Sequence, residues 1–346
     1  MARRRLRGQD GVASAEAQLD FGGEVDGHRP GRVHTSTVIF VLVLLLTATA
    51  AILAATLGSG TAGPKPPPGW HAVFLDRFLG KPGRVDSSWT YAAGTHNSGQ
   101  GCAGAWGTGE VESDTSATAN VSQDGKGHLD ITPVRSNASW TSGRIESVAG
   151  DFAAPAGGEM EVTASIEQPD PAHGLGYWPG FWMLGAGFRA GGHGTAGTMQ
   201  CSKWPAVGEI DILEDVNARS DVSGTFHCGT DPGGPCNETV GISSGLAACP
   251  RCQQAFNTYS VIVNRTDTKD ESITWLLNGT AYFHVHESQV PAATWHAAVD
   301  HGFFLILDVA MGGSYPNAVC DCITPSSSTT SAAPMRIAYV GVYTRK

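Results

Sequence analysis

Short stretches in which apolar and polar residues alternate recur through residues 70–346 and limit what this part of the chain can fold into. In the stretch 158–166 every second side chain from Met160 is apolar, which places these side chains on one face of a β-strand. The runs 272–277 and 280–286 flank Asn278-Gly279, and this dipeptide between two strand-like runs is the strongest short-range signal for a β-hairpin. Both patterns predict antiparallel β-structure.

The remainder of this region has the same character. The run 303–310 is almost continuously apolar, as in a central strand, and 336–343 alternates again. No amphipathic helix or internal repeat stands out, and the Gly-rich run 185–198 is typical of a loop. Many short strands between Gly- and Pro-rich turns predict an all-β sandwich for residues 70–346.

The first 69 residues differ in composition from this region. Residues 1–35 are polar and mixed in charge, which predicts a disordered tail. Within segment 36–57, the 20 apolar or uncharged residues Val38–Leu57 are long enough to cross a hydrocarbon core of ~30 Å. Basic residues precede them and almost no charge follows, so the positive-inside rule places the tail in the cytoplasm. Residues 58–69 are rich in Gly, Ser and Pro and predict a stalk-like linker.

We therefore predict a monomeric, single-pass membrane protein with a transmembrane signal anchor at 36–57 and an extracellular domain at 70–346. The alternative is a cleaved signal peptide and a secreted protein, because small residues around 50–55 would permit cleavage. The net charge of −10 and the isoelectric point near 5.6 argue against nucleic acid as a partner, since phosphate binding needs a basic surface.

An even number of cysteines lies beyond the apolar segment: Cys102, Cys201, Cys228, Cys236, Cys249, Cys252, Cys320 and Cys322. In an exported domain this predicts disulfides, although eight cysteines allow about 105 pairings. Cys249 and Cys252 also have the C-x2-C spacing of a zinc site, but no second such pair follows, so disulfides are favoured. Five Asn-x-Ser/Thr sequons in the same region predict glycosylated surface loops, at Asn120, Asn137, Asn237, Asn264 and Asn278.

The sequence Glu209-Ile-Asp-Ile-Leu-Glu214 carries three carboxylates in one strand-like run. In a strand, Glu209 and Asp211 share a face, while the two intervening isoleucines point to the other face and into the core. Strict alternation would also bury Glu214, which is unfavourable for an unpaired carboxylate. A β-bulge at Leu213 would return Glu214 to the face of the other two acids, and bulges are common beside active sites.

Three acids this close suit glycoside hydrolysis, in which one carboxylate attacks the sugar and another, kept protonated by its neighbours, protonates the leaving oxygen. The pattern alone also fits an exposed acidic strand or a Ca²⁺ site. Two Trp-Pro segments, at Trp178 and Trp204, lie beside the acids, and sugars stack on Trp rings. Trp178 and Trp182 share one face of a strand, where they either pack in the core or line a groove.

Six segments in the order 106–112, 141–145, 178–182, 208–214, 303–313 and 340–343 resemble those of glycoside hydrolase family 16, the laminarinase-type endo-β-1,3(4)-glucanases. The resemblance covers roughly residues 71–346. It implies a concanavalin-like β-jelly roll with a concave substrate cleft. It also implies a retaining endo-glycosidase that hydrolyses β-1,3- or mixed β-1,3/1,4-glucans through a covalent glycosyl-enzyme intermediate.

The resemblance also implies a role for each matching residue. Glu209 would be the nucleophile, Glu214 the general acid/base, and Asp211 the carboxylate that orients the nucleophile. Arg144 could instead pair with a surface acid, and His227 could be structural. No cofactor and no catalytic metal are implied, and only a structural Ca²⁺ ion stays open. The implied substrate-binding residues are Trp178, Trp182, Arg144, Glu110, Trp106, His227 and Trp204.

The chain departs from the family pattern at three places. Thr108 and Asp308 stand where many members have Asn, and residues 185–203 are long and Gly-rich and could form a flap with Cys201. These departures bear on substrate preference and not on the chemistry. The alternatives to a hydrolase are a cell-wall transglycosylase and a non-catalytic glucan-binding lectin, and the intact acids argue against the lectin.

Overall fold

The structure is a computed structural model that describes residues 64–190 and 199–346. The predicted tail at 1–35, the signal anchor at 36–57 and the first part of the linker lie outside the described residues, as does 191–198 of the Gly-rich run. Within the two described ranges, no helix is long and apolar enough to cross a membrane. Of the linker, Pro64 lies against the C-terminal strand, where its carbonyl accepts a hydrogen bond of 3.4 Å from the Tyr343 hydroxyl.

The described residues form twenty-one strands, two short α-helices and four 3₁₀ turns. The strands are β1 His71–Asp76, β2 Trp89–Tyr91, β3 Gly99–Gln100, β4 Glu112–Asp114, β5 Val121–Gln123, β6 Leu129–Ile131, β7 Val134–Ser136, β8 Ser139–Ser142, β9 Arg144–Ser147, β10 Glu159–Glu167, β11 Tyr177–Gly185, β12 Met199–Gln200, β13 Glu209–Glu214, β14 Asp221–His227, β15 Ile242–Ser243, β16 Ala247–Ala248, β17 Asn257–Asn264, β18 Ser272–Leu277, β19 Thr280–His286, β20 Phe303–Met311 and β21 Met335–Arg345. The helices are α1 Ala292–Val299 and α2 Ser314–Cys320, and the 3₁₀ turns are Ala105–Gly107, Ala186–Phe188, Cys201–Lys203 and Glu287–Gln289.

Two antiparallel sheets of eight strands make up most of the fold. The rear sheet has the order β19-β18-β17-β10-β21-β6-β5, with β1 beside β21. The site sheet has the order β15-β14-β13-β11-β20-β9-β2, with β16 beside β14. This arrangement confirms the predicted all-β sandwich and is consistent with a jelly roll. The predicted hairpin is β18–β19, and the apolar run is β20, a central strand whose nine residues are all buried.

One apolar core lies between the two sheets. The alternate side chains of β10 from Met160 to Ile166 are fully buried in it, together with Phe181 of β11 and Leu305 of β20. Each such side chain stabilises the fold by roughly 1.5–3 kcal/mol relative to exposure in water. The other face of the site sheet is therefore free to carry polar groups.

A second, smaller apolar cluster covers part of that other face. It consists of Leu184, Phe188, Met199, Phe304 and Ile306, with Trp182, Trp204 and the disulfide Cys102–Cys201 packed against it. The described residues of the segment 185–203, which the sequence suggests as a flap, are therefore held by this cluster and by the pairing of β12 with β3.

All eight cysteines are paired, which confirms the predicted disulfides. The pairs are Cys102–Cys201, Cys228–Cys236, Cys249–Cys252 and Cys320–Cys322. The zinc alternative for Cys249 and Cys252 is wrong, because each sulfur is already bonded to the other.

We expect the double variant Cys102→Ser/Cys201→Ser to lose about 3–5 kcal/mol of unfolding free energy, because this disulfide joins residues 99 positions apart and restricts the unfolded chain strongly. The matched control is Cys320→Ser/Cys322→Ser, whose cysteines are only 2 positions apart and should contribute about 1–2 kcal/mol. Denaturant unfolding of both variants measures the difference. Equal losses would show that chain restriction is not the main contribution.

One of the five sequons does not fit the predicted surface loops. Asn120 is 3 % exposed, and its amide donates to the Thr132 carbonyl at 2.9 Å and accepts from the Thr115 hydroxyl at 2.7 Å. A glycan cannot be attached to this nitrogen in the folded protein, so that part of the prediction is wrong. Glycosylation at the other four asparagines stays a prediction.

Candidate active site

The acid-bearing strand β13 contains the predicted bulge. Asp211 pairs with Trp182 on one neighbouring strand, but Leu213 pairs with the very next residue there, Phe181, so one residue of β13 is skipped. The register against β14 shifts at the same place, between Asp211 and Glu214. The result is that Ile212 and Leu213 both enter the core, as predicted for Ile212, while Glu214 returns to the outer face.

Two contacts from outside the strand fix this geometry. The indole of Trp275, on the rear sheet, donates a hydrogen bond of 2.7 Å to the Asp211 backbone carbonyl at the bulge. Gly208, just before the acids, has φ +73, and a Cβ there would lie 2.0 Å from the Ala298 carbonyl oxygen. Only glycine fits at 208, because both the backbone conformation and the close approach exclude a side chain.

Each carboxylate has its own polar neighbour on the outer face. The Trp204 indole donates to Glu209 at 3.2 Å, and the Trp178 indole donates to Glu214 at 3.0 Å. Asp211, between them, lies 3.3 Å from Nε2 of His227. The structure thus brings the three predicted catalytic acids together on one face, with both outer carboxylates held by an indole N–H.

These acids are largely shielded from solvent. Burial, followed by repulsion from Asp211, raises the pKa of both Glu209 and Glu214 to about 8. The nearby charge of His227 opposes this rise in the pKa of Glu209, and the indole of Trp178 opposes it in the pKa of Glu214. The group therefore holds a proton at neutral pH, as acid catalysis by a carboxyl requires.

Trp178 and Trp182 both project from β11 onto the face of the acids, which favours the groove over the core. Trp178 also packs edge-to-face against Tyr315 of α2, with ring centroids 5.7 Å apart. Trp182 donates a hydrogen bond of 3.2 Å to Asp308. Gly180 lies between the two rings, where a Cβ would come 2.5 Å from an Asp308 oxygen. Both rings are half-buried and available to a ligand on one side.

Arg144 is stacked between two of the predicted binding residues. Its guanidinium lies 4.6 Å from the centre of the Trp106 ring and 4.7 Å from that of Trp182. It also pairs with two buried acids, with Glu146 at 3.4 Å and with Asp308 at 3.8 Å, and not with a surface acid. Asp308 therefore has the buried cation of Arg144 as its charged partner.

Glu110 lies at the same end of the site and is partly exposed. The Thr108 hydroxyl donates to its carboxylate at 2.5 Å. Behind Glu110, Glu112 is 1 % exposed and accepts a hydrogen bond from the Met311 backbone. Burial and repulsion from Glu110 raise the pKa of Glu112 well above its usual range.

We expect Asp308→Asn to be tolerated and to become progressively more stable than the parent protein as the pH rises. Burial raises the pKa of Asp308 to about 7 from its ordinary value of 3.8, against the opposing charge of Arg144. Between these values the folded protein holds a proton that the unfolded chain releases, so the stability from this group is lost as pH rises through about 7. Asparagine does not titrate and still accepts from Trp182.

The stability difference between variant and parent should therefore grow by on the order of 1 kcal/mol from pH 5 to pH 8. Unfolding monitored by circular dichroism across this range measures it. Asp267→Asn, at an exposed position, controls for the loss of one negative charge. A difference that does not change with pH would contradict the expectation.

His227 faces the acids from β14, and it contacts one residue that the sequence analysis missed. Its Nδ1 lies 2.7 Å from Glu238, and its ring packs beside Trp204 with centroids 5.6 Å apart. Glu238, Trp275 and Tyr315 all support the site without being adjacent to it in sequence. No local pattern marks them, and only the fold brings them there.

Two groups within the described ranges have the spacing of metal ligands. Glu209, Asp211 and His227 offer one atom each within 4.8 Å, but these are the contacts of an imidazole between carboxylates. The second group is Glu271, His296 and Asp300, and there Arg265 already supplies the positive charge to Glu271 at 2.9 Å and to Asp300 at 2.8 Å. A structural Ca²⁺ ion stays an untested prediction.

The chain is similar to several known glucanases. The crystal structure of an endo-1,3-β-glucanase from Streptomyces sioyaensis has 46% sequence identity, covering 82% of this chain and all (100%) of that one, with a TM-score of 0.76. An endo-β-1,3-glucanase from Pyrococcus furiosus has 26% identity over 79% of this chain and 94% of its own, with a TM-score of 0.58.

A curated relative, glucan endo-1,3-β-glucosidase A1 of Niallia circulans, is 28% identical over 295 residues, which is 80% of this chain. The chain spans only 38% of that protein's length. No protein-family model matches the chain.

Proposed function

We propose a function for the chain from its membership of glycoside hydrolase family 16, where it belongs among the laminarinase-like endo-1,3-β-glucanases. The proposed activity of its domain is that of a retaining endo-glycosidase of β-1,3- or mixed β-1,3/1,4-glucans. The observation that carries the proposal is the set of three carboxylates on the bulged strand. Its two outer members are held by separate indole donors, on Trp204 and Trp178, with Asp211 between them.

Glu209 is the proposed nucleophile and Glu214 the proposed general acid/base. Glu214 delivers its proton to the leaving oxygen while Glu209 bonds to the anomeric carbon, and Glu214 then removes a proton from the water that releases the sugar. Asp211 lies between Glu209 and Glu214. Its negative charge raises the pKa of both glutamates, so the three acids together keep a proton. Burial strengthens these charge interactions relative to water.

The proposed substrate contacts are the half-buried aromatic rings and the polar groups at the two ends of the acids. Trp178 and Trp182 offer faces for sugar stacking, and Trp106 extends this surface across Arg144. Because Arg144 is already paired with two acids, we propose that it mainly holds the rings in place. Glu110 offers a partly exposed carboxylate for sugar hydroxyls. Trp204 and His227 are proposed to act beside Glu209.

The test is incubation of the full chain with laminarin, barley β-glucan, agarose and carrageenan. We expect new reducing ends from laminarin, with the β-configuration retained in the first products. Products of inverted configuration would refute the mechanism. Binding without cleavage would indicate a lectin, and products longer than the substrate would indicate a transglycosylase.

We also propose that the domain is displayed outside the cell from the apolar segment Val38–Leu57. The composition of this segment and the need of four disulfides for an oxidising compartment support the proposal. Fractionation and protease treatment of intact cells test it. Glucanase activity found only in the culture medium would favour a cleaved signal peptide.

A further inference from the structure

Glu238 is a buried carboxylate that no matching motif assigns. It follows Cys236 in the loop between β14 and β15, which the disulfide Cys228–Cys236 closes. Its side chain is fully buried, at 0% exposure, and both of its oxygens are used. One oxygen accepts a hydrogen bond of 2.8 Å from the Cys228 backbone N–H, and the other lies 2.7 Å from Nδ1 of His227.

The imidazole of His227 therefore has a carboxylate at each of its nitrogens. Nδ1 faces Glu238, while Nε2 lies 3.3 Å from Asp211 and 3.9 Å from Glu209. A neutral imidazole has only one N–H and would direct the lone pair of its other nitrogen at a carboxylate oxygen. When the facing carboxylates are ionised, the doubly protonated imidazolium suits this arrangement, because each nitrogen then presents an N–H to a carboxylate.

We propose that Glu238 is a positioning residue, which keeps His227 protonated and directed at Asp211 and Glu209 so that its positive charge favours the ionised form of Glu209 among its acidic neighbours. This inference rests on the proposed role of Glu209 as nucleophile. Glu238 makes its contacts on the far side of the ring, where one oxygen faces His227 and the other accepts from the Cys228 backbone. The loop backbone also lies close to this ring, because a Cβ added at Gly241 would come 2.9 Å from His227 Cε1.

The charges around the ring decide the direction of the effect. The groups that act on His227 are Glu209 and Asp211 from β13 and Glu238 from the loop, with Glu214 further along β13. Burial alone would lower the pKa of His227, but the contacts with Asp211 and Glu238 outweigh it and raise that pKa well above 6.5.

Two of these charges oppose each other at the nucleophile. The positive charge of His227 lowers the pKa of Glu209, and the negative charge of Glu238 raises it, with His227 the stronger of the two. Loss of the imidazolium should therefore leave Glu209 protonated to higher pH. The removal of Glu238 would free the histidine to become neutral and so produce this result indirectly.

The variant Glu238→Gln separates charge from shape. The glutamine carbonyl can still accept from Cys228, while its amide can donate to Nδ1, which selects the neutral imidazole with its proton on Nε2. We expect ¹³C-histidine NMR to show that His227 loses its proton at least one pH unit lower in this variant. The acid limb of the pH profile of kcat/KM for laminarin should move up by about one unit, with about tenfold less activity on that limb.

Three comparisons make the test specific. Glu271→Gln removes another buried carboxylate, on the rear sheet, and should leave the pH profile in place. His227→Gln should shift the acid limb in the same direction, and adding Glu238→Gln in that background should not move the limb further up. If Glu238→Gln does not fold, the ¹³C-histidine titration of the parent protein still tests the inference, because a His227 that is neutral at pH 7 would overturn it.

The outcomes separate this inference from the proposed function. An unchanged titration of His227 in Glu238→Gln would overturn the inference, as would a uniform loss of activity at every pH. Because the NMR titration uses the resting protein, it reports on the pair even if the parent protein cleaves no glucan, a result that would refute the proposed function alone.

Discussion

A Glu209→Gln variant is expected to lose turnover on laminarin by on the order of 10⁴–10⁶-fold while remaining folded. The loss is large because a neutral amide cannot form the glycosyl-enzyme bond, and no other carboxylate on this face occupies the same position. The Trp204 indole, which donates to Glu209 at 3.2 Å, can donate equally to the amide oxygen. The shape of the site is therefore retained.

The same variant should be more stable than the parent above neutral pH. The pKa of Glu209 is raised to about 8 from its ordinary value of 4.5, so between these values the folded protein binds more protons than the unfolded chain. Stability from this group is thus present below pH 4.5 and lost as the pH rises through about 8. Because glutamine does not titrate, Glu209→Gln should raise the free energy of unfolding by about 0.5–2 kcal/mol at pH 8. This is a typical size for replacing a strained active-site group.

Initial rates and thermal unfolding at pH 5 to 9 measure both effects. Glu159→Gln, a rear-sheet acid that pairs with Arg345, is the control and should keep its turnover. In Glu209→Gly, added azide should replace the missing nucleophile and give a glycosyl azide of the α-configuration. Full activity of Glu209→Gln, or loss of folding, would refute the assignment.

The sequence predicted the acid-bearing strand β13 because two requirements act on its side chains at once. The isoleucines at 210 and 212 had to reach the core, and Glu214 had to avoid it, so a bulge was required between Asp211 and Glu214. Local patterns of this kind also predicted the β18–β19 hairpin and the central strand β20. Such elements can be predicted because the alternation and the turn residues that determine them lie within a few positions of one another in the sequence.

The supporting contacts could not be predicted in this way because they join distant segments. Trp275 reaches Asp211 across the core over 64 positions, and Glu238 meets His227 only because the loop that carries it folds back. The partner of Asp308 is Arg144, on the adjacent strand β9. The burial of Asn120 depends likewise on the Thr132 carbonyl. A sequon or a lone charge carries no information about its tertiary neighbours.

Glu214→Gln should reduce turnover on laminarin by about 10²–10⁴-fold, the usual range for general acid/base catalysis. The Trp178 indole, at 3.0 Å from Glu214, can still donate to the amide oxygen, so the variant loses the proton and not the geometry. Burial and repulsion from Asp211 raise the pKa of Glu214 to about 8, and the acid must be protonated to act. The parent activity should therefore fall as pH rises through about 8, and this alkaline limb should disappear in the variant.

The dependence on the leaving group distinguishes this role from that of Glu209. A dinitrophenyl glycoside needs no proton to leave, so the first step should proceed in Glu214→Gln, but the second step still lacks its base. A rapid burst of about one equivalent of phenol followed by slow turnover is expected. Azide should accelerate that slow phase and give the β-glycosyl azide, opposite in configuration to the product of Glu209→Gly. The α-azide from both variants would show that Glu214 does not act on the leaving oxygen, since only the loss of the nucleophile exposes the opposite face of the sugar.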